Sequence, residues 1–189
     1  MSKINGIYAA SVSILDENLK LDIHKTIRHA ENLIKSGCHG VVIFGSTGQS
    51  QLISLEEKFE LIQNISKSIF KDKFIIGTGL NSLQDTISLI KISNSYNFNN
   101  FLIMPPAYYM YEDKDVIRFY IKLIEKLSTC KIILYNFEKL SGYKFSKESV
   151  EKLVSLFPEN IIGVKDSSYN LFENLKLKNF SILPGSELK

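Results

Sequence analysis

The chain has 189 residues, 44% of them hydrophobic, and a formal net charge of +3; that is enough for one domain with a sizeable core, and too little charge, too scattered, for a nucleic-acid-binding surface. No apolar run approaches the roughly 18 residues of a membrane-crossing helix, and Met1-Ser2-Lys3-Ile4 leads into ordinary sequence with no signal-peptide core. Cys38 and Cys130 lie far apart without metal-ligand spacing, so they read as reduced thiols of a cytoplasmic protein rather than as a disulfide.

Short apolar runs alternate with helical periodicity along the whole chain. Strands are expected over 6–12, 40–44, 74–77, 101–104, 131–135, 161–164 and 181–183. The first helix carries Ile23, Ile27, Ala30 and Ile34 on one stripe. The second opens with Ser54-Leu55-Glu56-Glu57, the reciprocal cap in which a serine and a glutamate satisfy free backbone amides, and places Phe59, Ile62 and Ile69 on one side. The third aligns Leu83, Ile87 and Ile90. The fourth starts near Asp113 with Ile117, Tyr120 or Ile121, Ile124 and Leu127. The fifth follows Ser146 with Val150, Leu153, Val154 and Phe157, and stops before Pro158 because proline cannot continue a helix. A weaker helix is expected over 171–177.

Apolar strands joined by helices imply a parallel sheet covered on both faces. An open doubly wound sheet and a (β/α)8 barrel share that local pattern. Polar and glycine punctuation follows nearly every strand, and only a barrel gathers all those loops on one face. The expected class is therefore an α/β (β/α)8 TIM barrel. A closed barrel takes roughly 200 to 250 residues. The expectation is thus a barrel incomplete at its carboxyl end, with about six βα units plus strand seven, residues 1–189 forming one catalytic domain. An open barrel exposes two unpaired strand edges and is expected to hold itself poorly.

Three strand ends carry chemistry. After the second strand, Gly45-Ser46-Thr47-Gly48 offers amides and hydroxyls suited to a small anion such as a carboxylate, although an ordinary turn reads the same way. Tyr135-Asn136 closes the fifth strand, where a phenol could relay protons or simply pack. Ile161-Ile162-Gly163-Val164-Lys165 places an amine at the mouth of the sheet. Such a lysine is ordinarily solvated. Within apolar walls it loses its proton more easily and attacks carbonyl carbon to form a Schiff base. The loop Pro105-Pro106-Ala107-Tyr108-Tyr109-Met110-Tyr111 is stiff and aromatic, like a pocket wall or a subunit contact. His24, His29 and His39 fall on or beside the first helix, away from the strand ends, and no metal constellation is visible.

The succession of Gly-Ser-Thr-Gly after strand two, Pro-Pro-Ala-Tyr-Tyr after strand four, Tyr-Asn after strand five and Gly-Val-Lys-Asp after strand six resembles the dihydrodipicolinate synthase / N-acetylneuraminate lyase family. The resemblance implies a class I aldolase or lyase that binds pyruvate or another 2-keto acid as a Schiff base, needs no cofactor or metal, and assembles as a dimer of dimers. Mapped onto matching positions, Lys165 would form the Schiff base and Tyr135 would relay protons. Ser46 and Thr47, flanked by Gly45 and Gly48, would hold the keto-acid carboxylate. Tyr108, with Tyr109 as the fallback, would reach into a neighbouring subunit. Gly185 and Ser186 would complete the substrate site.

Where synthases of that family resemble Y-N-x-P-x-R-T-G, this chain has Tyr135-Asn136-Phe137-Glu138-Lys139-Leu140-Ser141-Gly142. Leu140 takes the arginine's place in the substrate site, which removes a bidentate carboxylate clamp, and Lys139 is expected to point elsewhere. The preferred expectation is cleavage of a 2-keto-3-deoxy sugar acid or sialic-acid-like substrate to pyruvate and an aldehyde. The alternative is 4-hydroxy-tetrahydrodipicolinate synthase, condensing pyruvate with aspartate semialdehyde in lysine biosynthesis. A third is an inactive fragment.

Overall fold

A computed structural model describes residues 4–127 and 129–185. Seven parallel strands form one sheet in the order β1-β2-β3-β4-β5-β6-β7: β1 (Tyr8–Ala10), β2 (Gly40–Ile43), β3 (Phe74–Gly77), β4 (Asn100–Ile103), β5 (Lys131–Asn136), β6 (Ile161–Asp166) and β7 (Ser181–Pro184). Each strand pairs with its neighbour in sequence. A monotonic order distinguishes the two candidate topologies. Crossovers of one hand that never reverse direction put every helix on the same side and leave the other face to close on itself. This is the barrel-type winding.

The connecting helices are α1 (Ile23–Lys35), α2 (Leu55–Ile65), α3 (Leu83–Ser95), α4 (Asp113–Lys126), a single turn α5 (Glu138–Ser141), and α6 (Lys147–Leu156). Their starts are fixed by side chains that accept orphan backbone amides: Asp22 for α1, Ser82 for α3 and Ser146 for α6. The reciprocal cap expected at α2 is present, and Glu57 additionally accepts from the Leu21 N–H at 2.8 Å, tying α2 to the segment before α1. Among the described residues, no helix is long and apolar enough to cross a membrane.

Two hydrophobic layers follow from strand alternation. The larger lies between sheet and helices, built from residues such as Ile43, Ile76, Phe101, Leu134 and Val164 against Leu61, Ile90, Tyr120 and Leu153. The Tyr120 hydroxyl is satisfied by the Ile103 carbonyl at 2.8 Å. The smaller lines the concave face: Val42, Ile75, Leu102, Ile133 and Tyr135, with Tyr8, Ile162 and Leu183 beside them. At the rim, Ser181 Oγ donates to the Ile4 carbonyl at 3.1 Å, so the start of β7 reaches the residues before β1. Among the described residues β1 pairs only with β2, and β7 only with β6.

The structure departs from the sequence expectations in three places. Helix α2 ends at Ile65, leaving Ile69 91% exposed instead of on the packed side. The expected helix over 171–177 is absent, and turns connect β6 to β7. There the backbone amides of Tyr169, Leu171 and Phe172 converge on the Asp166 carboxylate, and Tyr169 adopts a left-handed φ of 58°; amides held by a carboxylate are not free for helical pairing. The short α5 was not anticipated, because a single helical turn leaves no periodicity to read.

Candidate active site

Strand register brings the chemistry together. Tyr135 on β5 lies opposite Lys165 on β6, which lies opposite Leu183 on β7. Alternation turns all three towards the concave face. The Lys165 ammonium sits 5.6 Å from the centre of the Tyr135 ring. Burial against these walls pulls the Lys165 pKa below that of an exposed lysine. Among the described residues no carboxylate forms an ion pair with Lys165 to restore it.

Tyr135 is itself buried, and its hydroxyl donates to Ser46 Oγ at 3.0 Å. Burial raises its pKa, with the Ser46 hydrogen bond offsetting part of the rise, so the phenol holds its proton at neutral pH. The Ser46 turn is shaped by its flanks. Phe44 (φ 55°) and Gln49 (φ 49°) adopt the left-handed conformation, whereas neither Gly45 nor Gly48 does. Gly48 is needed for a different reason: a Cβ there would stand 2.9 Å from the Ser11 carbonyl. Its own carbonyl accepts from Ser13 Oγ at 2.6 Å, which ties the turn to the segment after β1.

Behind the cleft, the residues following Tyr135 and Lys165 point to the opposite face and are bonded to each other. Asn136 Nδ2 donates to Asp166 Oδ1 at 2.8 Å and to Asn170 Oδ1 at 2.9 Å, while Asn136 Oδ1 accepts from the Phe145 N–H at 3.0 Å. Asp166 also accepts three backbone amides and is fully buried. A buried carboxylate with four N–H donors is a rigid hub. It fixes the separation of β5 and β6 where Tyr135 and Lys165 project, and it shapes the loop bearing Ser167, Ser168 and Tyr169.

The resulting cleft, about 480 Å³, is walled by Ser46, Thr47, Tyr135 and Lys165 on one side. Glu138, Lys139, Ser167, Ser168, Tyr169 and Gly185 face them. Gly185 belongs here because a Cβ would collide with Ser167 Oγ, 1.9 Å away. A second, apolar cavity of about 240 Å³ adjoins it across Ser46 and Tyr135, lined also by Phe44, Gly45, Leu102, Met104 and Leu140.

Of the residues singled out from sequence, Lys165, Tyr135, Ser46, Thr47 and Gly185 meet in one cleft, with Gly45 and Gly48 framing the turn. Ser186 lies outside the described residues. Leu140 lines the adjoining apolar cavity instead of the Lys165 cleft, and Lys139, expected to point elsewhere, is the residue on the cleft wall. Tyr108 (88% exposed, φ 84°) and Tyr109 stack edge-to-face at 5.0 Å on the surface and line neither cavity. His39 accepts a hydrogen bond from the Ile7 N–H, a packing role. No cluster of three or more metal-ligating side chains occurs among the described residues. The Asn136–Asp166 hub was missed, although its signal was present: two polar residues, each one step beyond a candidate on adjacent strands.

Comparison with known proteins identifies the family. The model of the dihydrodipicolinate synthetase family matches residues 3–187. The chain therefore belongs to that family. It is 27% identical to a 4-hydroxy-tetrahydrodipicolinate synthase of Karelsulcia muelleri over 99% of its own length and 65% of that protein's. Its structure superimposes on dihydrodipicolinate synthase from Agrobacterium tumefaciens with a TM-score of 0.86 at 25% identity, covering 94% of this chain and 65% of that one. A pyruvate complex of a Sulfolobus solfataricus 2-keto-3-deoxygluconate aldolase variant gives 0.75 at 26% identity, covering 86% and 53%. The chain thus spans between about half and two thirds of the length of these proteins.

Proposed function

We propose that the cleft performs class I aldolase chemistry on a 2-keto acid, pyruvate in the simplest case. The observation that carries this reading is a desolvated lysine with no ion-pair partner among the described residues, set beside a protonated tyrosine bonded to a serine hydroxyl. The Lys165 amine attacks the keto carbon, and water leaves to give an iminium. Loss of a proton from the neighbouring carbon gives an enamine, which attacks an aldehyde carbon; the reverse sequence cleaves that bond. Tyr135 would carry protons to and from the carbonyl oxygen, with Ser46 as its first relay partner. The hydroxyls of Ser46 and Thr47 would hold the keto-acid carboxylate and so fix the direction of attack.

Tyr108, or failing that Tyr109, would extend the relay from a second copy in a dimer of dimers; its exposure leaves it available for that contact. Two readings of the second substrate each have support. Leu140 at the position of the family's arginine favours a 2-keto-3-deoxy sugar acid or a sialic-acid-like substrate. Similarity to the Karelsulcia muelleri 4-hydroxy-tetrahydrodipicolinate synthase favours condensation with aspartate semialdehyde.

Borohydride reduction in the presence of pyruvate tests the shared chemistry: a mass adduct is expected on Lys165. An unmodified Lys165 would overturn the reading and favour an inactive chain. A panel of sugar acids and aspartate semialdehyde then separates the two activities.

A further inference from the structure

The cleft has two walls, and the chemistry above uses only one of them. Among the described residues two cations line the cleft, Lys165 and Lys139, and one acid, Glu138. Glu138 is already partnered: its carboxylate pairs with Lys144 at 2.9 Å. Lys139 forms no ion pair among the described residues. The backbone that carries it is nonetheless well held. The Glu138 N–H donates to Ser168 Oγ at 2.9 Å, bridging to the loop after β6. At the other end the Gly142 N–H closes α5 on the Glu138 carbonyl at 2.8 Å, with Gly142 at φ 71°. Neighbouring residues on a helix point about 100° apart. Leu140 takes the apolar cavity, and Lys139 is thereby turned to the polar cleft.

We infer that Lys139 binds the anionic far end, a carboxylate or a phosphate, of the aldehyde that joins or leaves the keto acid at Lys165. The site would therefore select anionic aldehydes over neutral polyhydroxy aldehydes. This rests on the Schiff-base reading and sharpens it. The keto acid's own carboxylate is offered hydroxyl and amide donors at Ser46 and Thr47, so it does not require Lys139. A neutral sugar chain would be read by the hydroxyls of Ser167, Ser168 and Tyr169 and would have no use for a cation. An ammonium is a point charge rather than a planar fork, so it takes carboxylate and phosphate alike. The lost arginine at Leu140 is thus replaced in charge, though not in geometry, by the residue before it.

The test uses pyruvate with three aldehydes: aspartate semialdehyde, glyceraldehyde 3-phosphate and uncharged glyceraldehyde. The readout is the ratio of kcat/KM for each anionic aldehyde to that for the neutral one. Lys139→Met should lower the ratio for the true substrate class by about 10- to 100-fold, the worth of one charge-assisted contact. Lys139→Arg should retain it, and Lys147→Met, removing an exposed lysine on α6, should leave it unchanged. The carboxylate and phosphate arms identify which anion is used. An equal loss for charged and neutral aldehydes in Lys139→Met overturns the inference. So does turnover of glyceraldehyde alone, or pyruvate trapping on Lys165 without turnover of any aldehyde. Failure of the trapping itself removes the Schiff-base reading, and this inference with it, so the two failures are distinguishable.

Discussion

Lys165 at the end of β6 and Lys58 within α2 are both taken far enough out of water to hold their protons more weakly than an exposed lysine, yet their surroundings differ in kind. Lys58 is fully enclosed, with its ammonium donating to the Thr78 carbonyl at 3.2 Å and lying 5.8 Å from the centre of the Phe44 ring. Burial lowers its pKa to about 8, against a smaller opposing pull from Asp85. Lys165 opens onto the cleft, beside the Tyr135–Ser46 pair. A lowered pKa therefore reports desolvation and no more. A nucleophile also needs a path for its electrophile and a neighbour that moves protons. Lys165 has both, whereas Lys58 has a carbonyl and an aromatic wall.

The sharpest way to break this contrast is to trap pyruvate with borohydride in variants of each lysine. Lys165→Ala should reduce the adduct to background, and Lys58→Met should keep it. An adduct on Lys58, or one surviving in Lys165→Ala, would show that enclosure does not separate the two. Next in size is the proton carrier. Tyr135→Phe keeps the ring beside Lys165 and removes only the hydroxyl. Turnover should drop by about 10²- to 10³-fold, within the range for a lost acid–base group, while the borohydride adduct still forms. A smaller loss would mean that water replaces the phenol. The hub behind the cleft comes third. Asp166→Asn turns an NH₂ group towards amides that now donate to a carboxylate. We expect about 3 kcal/mol of lost stability, read by denaturant unfolding. Trapping in the folded fraction should also slow. Unchanged trapping there would confine Asp166 to a scaffolding role.

Much of this contrast was legible in the sequence, and the parts that were not fail for identifiable reasons. Lys165 and Tyr135 end apolar runs, so strand period alone places them at the mouth of the sheet; all seven strands fall within two residues of their expected bounds. Lys58 was overlooked because residue type outweighed position. It lies on the same helical face as Leu61, Ile62 and Ile65, all buried, at the spacing of a core stripe. The reverse happened at Ile69, an apolar residue assigned to a helix that ends four residues earlier. Lys139 and Leu140 were exchanged for a third reason. The orientation of a single helical turn depends on which neighbouring cavity is apolar, a tertiary fact that no local pattern carries. For Asp166, the polar pair with Asn136 on the adjacent strand was legible, while the backbone amides three, five and six residues further on that complete its shell have no signature in sequence.

The enclosed lysine has its own measurable consequence, the smallest of these effects on chemistry because it should leave the cleft untouched. In the unfolded chain Lys58 keeps its proton up to about pH 10.5, whereas in the folded protein it gives it up near pH 8. Between those values the unfolded state binds more protons, so raising the pH favours folding. Below about pH 8 the folded protein bears the whole cost of an enclosed ammonium. A displacement of that size corresponds to about 3 kcal/mol, relieved as pH climbs through the window. Lys58→Met fills a similar volume without the charge. It should be more stable than the parent at pH 7, and the difference should shrink as pH approaches 10.5. Lys165, whose pKa is lowered by the same cause, contributes a dependence of the same sign, but it is common to both proteins and cancels in the comparison. Denaturant titrations at several pH values measure that difference directly. A gap that stays constant from pH 7 to 10.5 would mean that the Thr78 carbonyl and the Phe44 face compensate the buried charge fully. Lys58 would then differ from Lys165 in the energy of its ammonium as well as in access.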